Sequence, residues 1–284
     1  MDHRAQGVAS LKRVVLATLF ALCVVPAGQA ATIAPHRAIY DLSLLRVSEG
    51  AGLTSAEGRL AFEVQGSTCE GWTVNFRMAN RFAPSDGDVK VVDTQSTSFE
   101  SADSLEMHYN QKEFVNGKLH EDSRVTVKRP ALGAEGSGEQ GSAALKPFKI
   151  PSDTMFPTQH QLHLMDLAVA GQTRDSTVIF DGADGEKLYR AISFIGGRKA
   201  PGQNARDAAN AEVKSLAGLA SWPISVSYYP VGGAEDTPEY QVSFDLYENG
   251  VATGLVMDYG QFALTGKLTR FEELKSDPCD PGSP

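Results

Sequence analysis

In segment after segment of this chain, large apolar residues alternate with charged or polar ones. That period of two restricts it to strands with one face buried and the other wet. The cleanest run is WTVNFRM, where Trp72, Val74, Phe76 and Met78 share a face. Leu60, Phe62 and Val64 repeat it over residues 59–65, and Tyr40, Leu42 and Leu44 do so in HRAIYDLSLLRV. Further strands are predicted at 89–94, 97–101, 105–109, 113–115, around Val125 and Val127, and then at 176–181, 187–195, 212–219, 222–229, 240–247, 251–257 and 262–271. A dozen or more strands is well above the ordinary share of ~20–25% of residues. Asn116-Gly117 and Asn249-Gly250 mark hairpin turns, because both residue types tolerate positive φ. The Gly-rich stretch 131–144 and the polar stretch 196–210 read as flexible loops.

One segment, residues 151–171, departs from alternation. PSDTMFPTQHQLHLMDLAVAG predicts a helix at about 159–170, with Thr158 as N-cap, Gln161 returning the cap bond, and Gly171 as the stop. Pro157 is expected to block extension backwards. Leu162, Met165 and Val169 form the predicted packing stripe. A short helix with an apolar face needs a wall, and the flanking strands supply one.

Residues 1–30 carry Arg4, Lys12 and Arg13, then an apolar run over 14–25 and a small-residue site ending at Ala30. That is the pattern of a cleavable secretory signal peptide, leaving one secreted β-rich domain over 31–284. Cys23 follows Leu22, an unfavourable setting for lipid attachment. Cleavage removes three basic residues and one acidic residue, moving the net charge from −9 to −11. So acidic a chain has no basic stripe for a nucleic-acid backbone. Cys69 and Cys279 remain, and in an oxidising compartment that pair is expected to form a disulfide. An outer-membrane barrel is disfavoured, since its strands would be longer and girdled with aromatics. A soluble barrel or curled sheet with the helix over an apolar face fits better.

Motifs for chemistry are weak. His160, His163 and Asp166 lie three apart on the helix, but the spacing lacks the His-Glu-x-x-His pattern, and histidines on an exposed helix face are the expected reading. In DGADGE, residues 181–186, Ala183 occupies a position a calcium loop needs for a ligand, so a turn is expected. There is no Gly-x-Ser-x-Gly elbow and no phosphate loop, so the expectation is no catalytic residue, no metal and no cofactor. Trp72, Phe76, Trp222, Phe244 and Phe262, with Tyr228 and Tyr229, serve either as ordinary β core or as the lining of an apolar pocket.

HRAIYDL, CEGW, PSDTMFPTQH, SWPISVSYY and YENGVATGLVMDYGQFAL, followed by Cys279, together resemble the EipB-like family of periplasmic envelope-integrity proteins of alphaproteobacteria. The resemblance covers nearly the whole chain after the leader. It implies a mainly β, single-domain, open curled (spiral-like) antiparallel barrel with one substantial helix packed on or in it, held by a Cys69–Cys279 disulfide. It also implies a non-enzymatic role in envelope integrity under stress and a periplasmic tetratricopeptide-repeat protein as partner. The alternative role is binding a lipid or acyl chain in the β cup.

Overall fold

The alternating segments pair into a single sheet. In the computed structural model, residues 31–142, 144–204, 211–233, 237–275 and 279 are described. The strands are β1 (His36–Val47), β2 (Leu53–Ser67), β3 (Gly71–Pro84), β4 (Lys90–Glu100), β5 (Glu106–Val115), β6 (Lys118–Lys128), β7 (Gly136–Gly141), β8 (Lys146–Ile150) and β9 (Thr154–Met155). After helix α1 (Pro157–Val169) come β10 (Arg174–Ile179), β11 (Tyr189–Ile195), β12 (Ser221–Pro230), β13 (Tyr240–Tyr247), β14 (Ala252–Asp258) and β15 (Phe262–Glu273). All 15 join in the order β8 down to β1, then β15 down to β9. Every pairing is antiparallel except β9 with β10, which is parallel.

This order makes the two edge strands, β8 and β9, neighbours in the chain, so the sheet curls until its edges nearly meet. Side chains rather than a backbone ladder bridge the gap. Phe148 of β8 lies 5.3 Å from Phe180, ring to ring. Ile150, Phe156, Met107, Tyr109, Val125 and Val127 complete the same buried cluster. The result is the expected mainly β barrel, nearly closed, with one unsealed seam.

Local chemistry explains where expectation and structure part. Asn116 and Gly117 both take positive φ, 50° and 76°, as a two-residue hairpin requires. The candidates at 89–94 and 97–101 merge into β4. The stretch 131–144, expected to be a loop, contains β7. Its glycines make room for the neighbouring strand: a Cβ on Gly138 would lie 2.4 Å from Phe148 Cζ, and one on Gly136 would lie 2.6 Å from Ile150 Cγ1. The strand expected at 212–219 is a 3₁₀ helix, Ala211–Gly218, with Val213 and Leu216 buried against the sheet. Val213, Leu216 and Leu219 are three apart, the repeat of a 3₁₀ helix, not of a strand. In the polar stretch 196–210, Lys199 bridges to Ser221, and residues 205–210 lie outside the described residues, as do residues 1–30 with Cys23.

Helix α1 starts earlier than expected. Phe156 is the N-cap and Pro157 is the first helical residue, where its missing N–H costs nothing. Gly171 does end the helix: φ is 72°, its N–H donates to Ala168 O at 3.1 Å, and Gln172 N–H donates to Leu167 O at 2.9 Å.

Antiparallel order places alternate connections at opposite ends of the barrel. One end carries the turns β1/β2, β3/β4, β5/β6, β7/β8, β10/β11, β12/β13 and β14/β15. The other carries Cys69, Cys279 and the β13/β14 turn, and α1 lies against it. There Asp166 Oδ1 accepts from the Ala31 N–H at 3.0 Å, and Gln161 Nε2 donates to Gly250 O at 2.8 Å.

An apolar cavity floored by helix α1

A strand pattern with alternate apolar faces, curled on itself, must fill its inside or leave a space. Here α1 fills one end. Leu164, Met165 and Ala168 are buried with Trp72, Trp222, Val64 and Ile224. The helix meets protein on more than one side, so its buried stripe differs from the expected one. Met165 packs as expected at 3% exposure, Leu162 is half-buried against the same cluster, and Val169 is 69% exposed and does not pack.

The helix is held by groups far away in sequence. Glu100, at the end of β4, accepts the Thr158 N–H at Oε1 (2.7 Å) and the Gln159 N–H at Oε2 (3.1 Å). It thus satisfies two donors a helix start leaves free. Thr158 itself is inside the helix and is not its cap. Burial pushes the Glu100 carboxyl above its usual range, against the pull of these bonds and of Arg129. Arg129 donates to Thr154 O (2.6 Å), Ser104 O (2.9 Å from Nε) and Gln159 Oε1 (2.8 Å), and lies 4.6 Å over the Phe156 ring.

Above the helix is a cavity of about 420 Å³. It falls within the roughly 300–1,000 Å³ range of ligand pockets. Its walls are the inward faces of β1–β3 and β12–β14, including Leu60, Phe76, Phe244, Leu255 and Met257, and α1 supplies Pro157, His160, Gln161 and Leu164. The polar groups in the wall are mostly tied off. Tyr40 OH donates to Ala252 O at 2.6 Å. The His36 ring lies between Phe62 and Phe271, its Nδ1 2.7 Å from Ala34 O, and burial lowers its pKa. An uncharged interior of this kind suits a hydrocarbon chain and gives no grip to an ion.

Of the residues expected to line a pocket, Phe76 and Phe244 do, with Tyr228. Trp72 and Trp222 are instead core, packed beside α1. Phe262 is near the opposite end, edge-on to Phe82 at 5.8 Å. Tyr229 follows Tyr228 on β12 and so takes the other face.

The helix histidines do not share a solvent face. His160 is buried at 4% exposure, its Nε2 has no hydrogen-bond partner, and burial lowers its pKa to about 4. Asp166 turns away to Ala31, and Asp175 of β10 takes its place: Oδ1 is 3.3 Å from His163 Nε2, and Oδ2 is 3.8 Å from His160 Nε2. No group of three or more His, Cys, Asp or Glu able to hold a metal occurs among the described residues. In 181–186, Asp181 Oδ1 accepts the Ala183 N–H at 2.9 Å, and Asp184 accepts the Tyr189 hydroxyl, as a turn would have it. Cys69 and Cys279 are joined, with Cα atoms 5.8 Å apart.

The chain is thus a mainly β protein of the nearly closed barrel class, with a helix at one end and an apolar interior. The chain belongs to the EipB-like family, whose match spans residues 27–275. It is 32% identical, over 253 residues, to the cell envelope integrity protein EipB of Brucella abortus (strain 2308), covering 87% of this chain and 86% of the relative. The crystal structure of a beta-barrel-like protein of a domain of unknown function from Brucella abortus superposes with a TM-score of 0.78 at 30% identity, covering 87% of this chain and all of that one. No helix among the described residues is long and apolar enough to cross a membrane.

Proposed function

We propose that the protein supports cell-envelope integrity from the periplasm, delivered there by residues 1–30, as a non-enzymatic binding protein whose cavity takes the acyl chain of an envelope amphiphile. The envelope role rests on the relative's name. The ligand reading rests on one observation: a roughly 420 Å³ interior cavity walled by apolar side chains and floored by α1. The non-enzymatic reading is supported by the way Glu100, Arg129 and Tyr40, groups with chemical potential, are committed to structural hydrogen bonds. A tetratricopeptide-repeat partner, implied by the family resemblance, belongs to the same proposal, and in-cell cross-linking checks it.

Native mass spectrometry of protein purified from its host periplasm tests the ligand. An acyl-bearing adduct released by denaturation supports it. Protein free of adduct that also fails to displace a fluorescent fatty acid overturns it.

A further inference from the structure

The inward faces of β12 and β13 change character with distance from α1. Register pairs Trp222 with Leu246, Ile224 with Phe244 and Val226 with Val242, and then Tyr228 with Tyr240. The two tyrosine rings stack at 4.4 Å, and Tyr189 of β11 meets both edge-on at 6.3 and 5.6 Å. Tyr228 is at once a cavity residue and a member of this trio. Asp181, in the β10/β11 turn, joins the group. Gly182 beside it packs on Tyr109 of β5, where an added Cβ would lie 3.1 Å from Tyr109 Cβ. Burial first, and the Asp181 carboxylate after it, raises the pKa of the Tyr228 and Tyr240 hydroxyls, so the carboxylate is close to both. Those hydroxyls make no hydrogen bond among the described residues, and Asp181 has no ion-pair partner there.

We propose that the cavity takes an amphiphile with an ammonium head, its chain against α1 and its head beside Asp181 and the Tyr228–Tyr240 pair. This rests on the reading that the cavity holds an acyl chain, and adds which head that chain carries. An anionic head would meet Asp181, Asp184 and Glu239, and Lys187 is already bound to Glu239 at 2.6 Å. A metal ion would need further anionic ligands gathered around Asp181, and no such group of three occurs among the described residues. An apolar or uncharged head would leave a desolvated carboxylate without its counter-charge, which is costly. An ammonium supplies that charge, and the faces of tyrosine rings attract it. The protein makes the same contact with its own side chain, for Lys187 Nζ lies 4.8 Å from the Tyr189 ring centroid. Exposed Asp184, Glu186 and Glu239, with Asp86 and Asp88 on the β3/β4 turn, draw cations towards this end of the barrel.

The test is displacement of a fluorescent fatty acid from the full secreted chain by dodecylamine and by dodecanoic acid, both below their micelle concentrations at neutral pH. Dodecylamine is expected to displace the probe at about tenfold lower concentration than dodecanoic acid. Asp181→Asn keeps the acceptor for the Ala183 N–H and is expected to abolish that preference, with displacement by dodecanoic acid as strong or stronger. Tyr240→Leu, outside the cavity lining, is expected to weaken dodecylamine by at least about threefold, and it carries the test if Asp181→Asn does not fold. Asp86→Asn/Asp88→Asn lowers the charge of the same end and is expected to keep the preference. An equal loss in that pair would assign the preference to general charge and overturn the proposal, as would amine displacement unchanged in both site variants. Saturable binding of the fatty acid with equal displacement by the two heads overturns the head assignment and leaves the cavity reading standing. Failure of the fatty acid itself to bind overturns the cavity reading, and the ammonium head with it.

Discussion

Glu100 Oε1 accepts the backbone N–H of Thr158 at 2.7 Å, so a strand carboxylate caps the helix at a residue 58 positions further along the chain. The same carboxylate also accepts from Gln159, and Arg129 fastens the turn before the helix. The cavity floor therefore depends on a contact between the sheet and the helix, in addition to the helix's own end signals at Pro157 and Gly171.

Glu100→Ala should lower stability by about 3 kcal/mol, since it strands two buried N–H groups and removes the counter-charge of Arg129. Urea unfolding measures this. A double-mutant cycle with Arg129→Ala should give losses smaller than additive. A loss below about 0.5 kcal/mol for Glu100→Ala would show that the cap has no structural weight.

Met165 and Val169 lie one helical turn apart and should behave oppositely. Met165 is buried beside Trp72 and Trp222, so Met165→Asp should cost more than about 3 kcal/mol or prevent folding. Val169→Asp, at 69% exposure, should stay within about 0.5 kcal/mol of wild type. Equal sensitivity in thermal melts would contradict the placement of the helix.

Cys69 and Cys279 close a loop of 210 residues. Chain entropy sets a ceiling of ~5 kcal/mol on its stabilisation. Cys69→Ser and Cys279→Ser should lower the melting temperature equally, and the double variant should fall no further. Additive losses would rule out a shared bond.

His160 makes stability depend on pH. Burial holds its folded pKa at about 4, below the 6.5 of a free imidazole, although Asp175 pulls it up. The unfolded chain therefore takes the proton first. The stability that His160 contributes is full above pH 6.5, falls as pH drops towards 4, and is level below that, to a total of about 3 kcal/mol. Glu100 works in the opposite sense, because its raised pKa favours the folded state as pH falls from above towards 4.5. Comparing His160→Leu with wild type in urea melts from pH 7 to 4.5 isolates the histidine. The variant should show the smaller loss on acidification, and parallel curves would contradict a buried neutral imidazole.

How much of this was legible in the sequence follows from which interactions are local. Most strands could be read because side-chain alternation is a property of adjacent residues, as in Trp72 to Met78. β7 could not be read, because Gly136 and Gly138 are defined by Phe148 and Ile150 of the next strand. The 3₁₀ helix did announce itself in the three-residue spacing of Val213, Leu216 and Leu219, a signal easily taken for a weak strand. Site residues fared worse. Phe76 and Phe244 were found from aromatic content, but that content cannot separate a pocket wall from core, which is where Trp72 and Trp222 went. Glu100 and Asp175 act on α1 from other strands, and nothing next to them in sequence marks that role.

The most direct test of the account is titration of a fluorescent fatty acid into wild type and Val242→Trp, a substitution that fills the cavity from its wall. The wild type should bind saturably at one site. The filled variant, folded with an unchanged unfolding midpoint, should bind at least about tenfold more weakly. Equal binding by both proteins, or none by the wild type, would contradict a ligand cavity above α1.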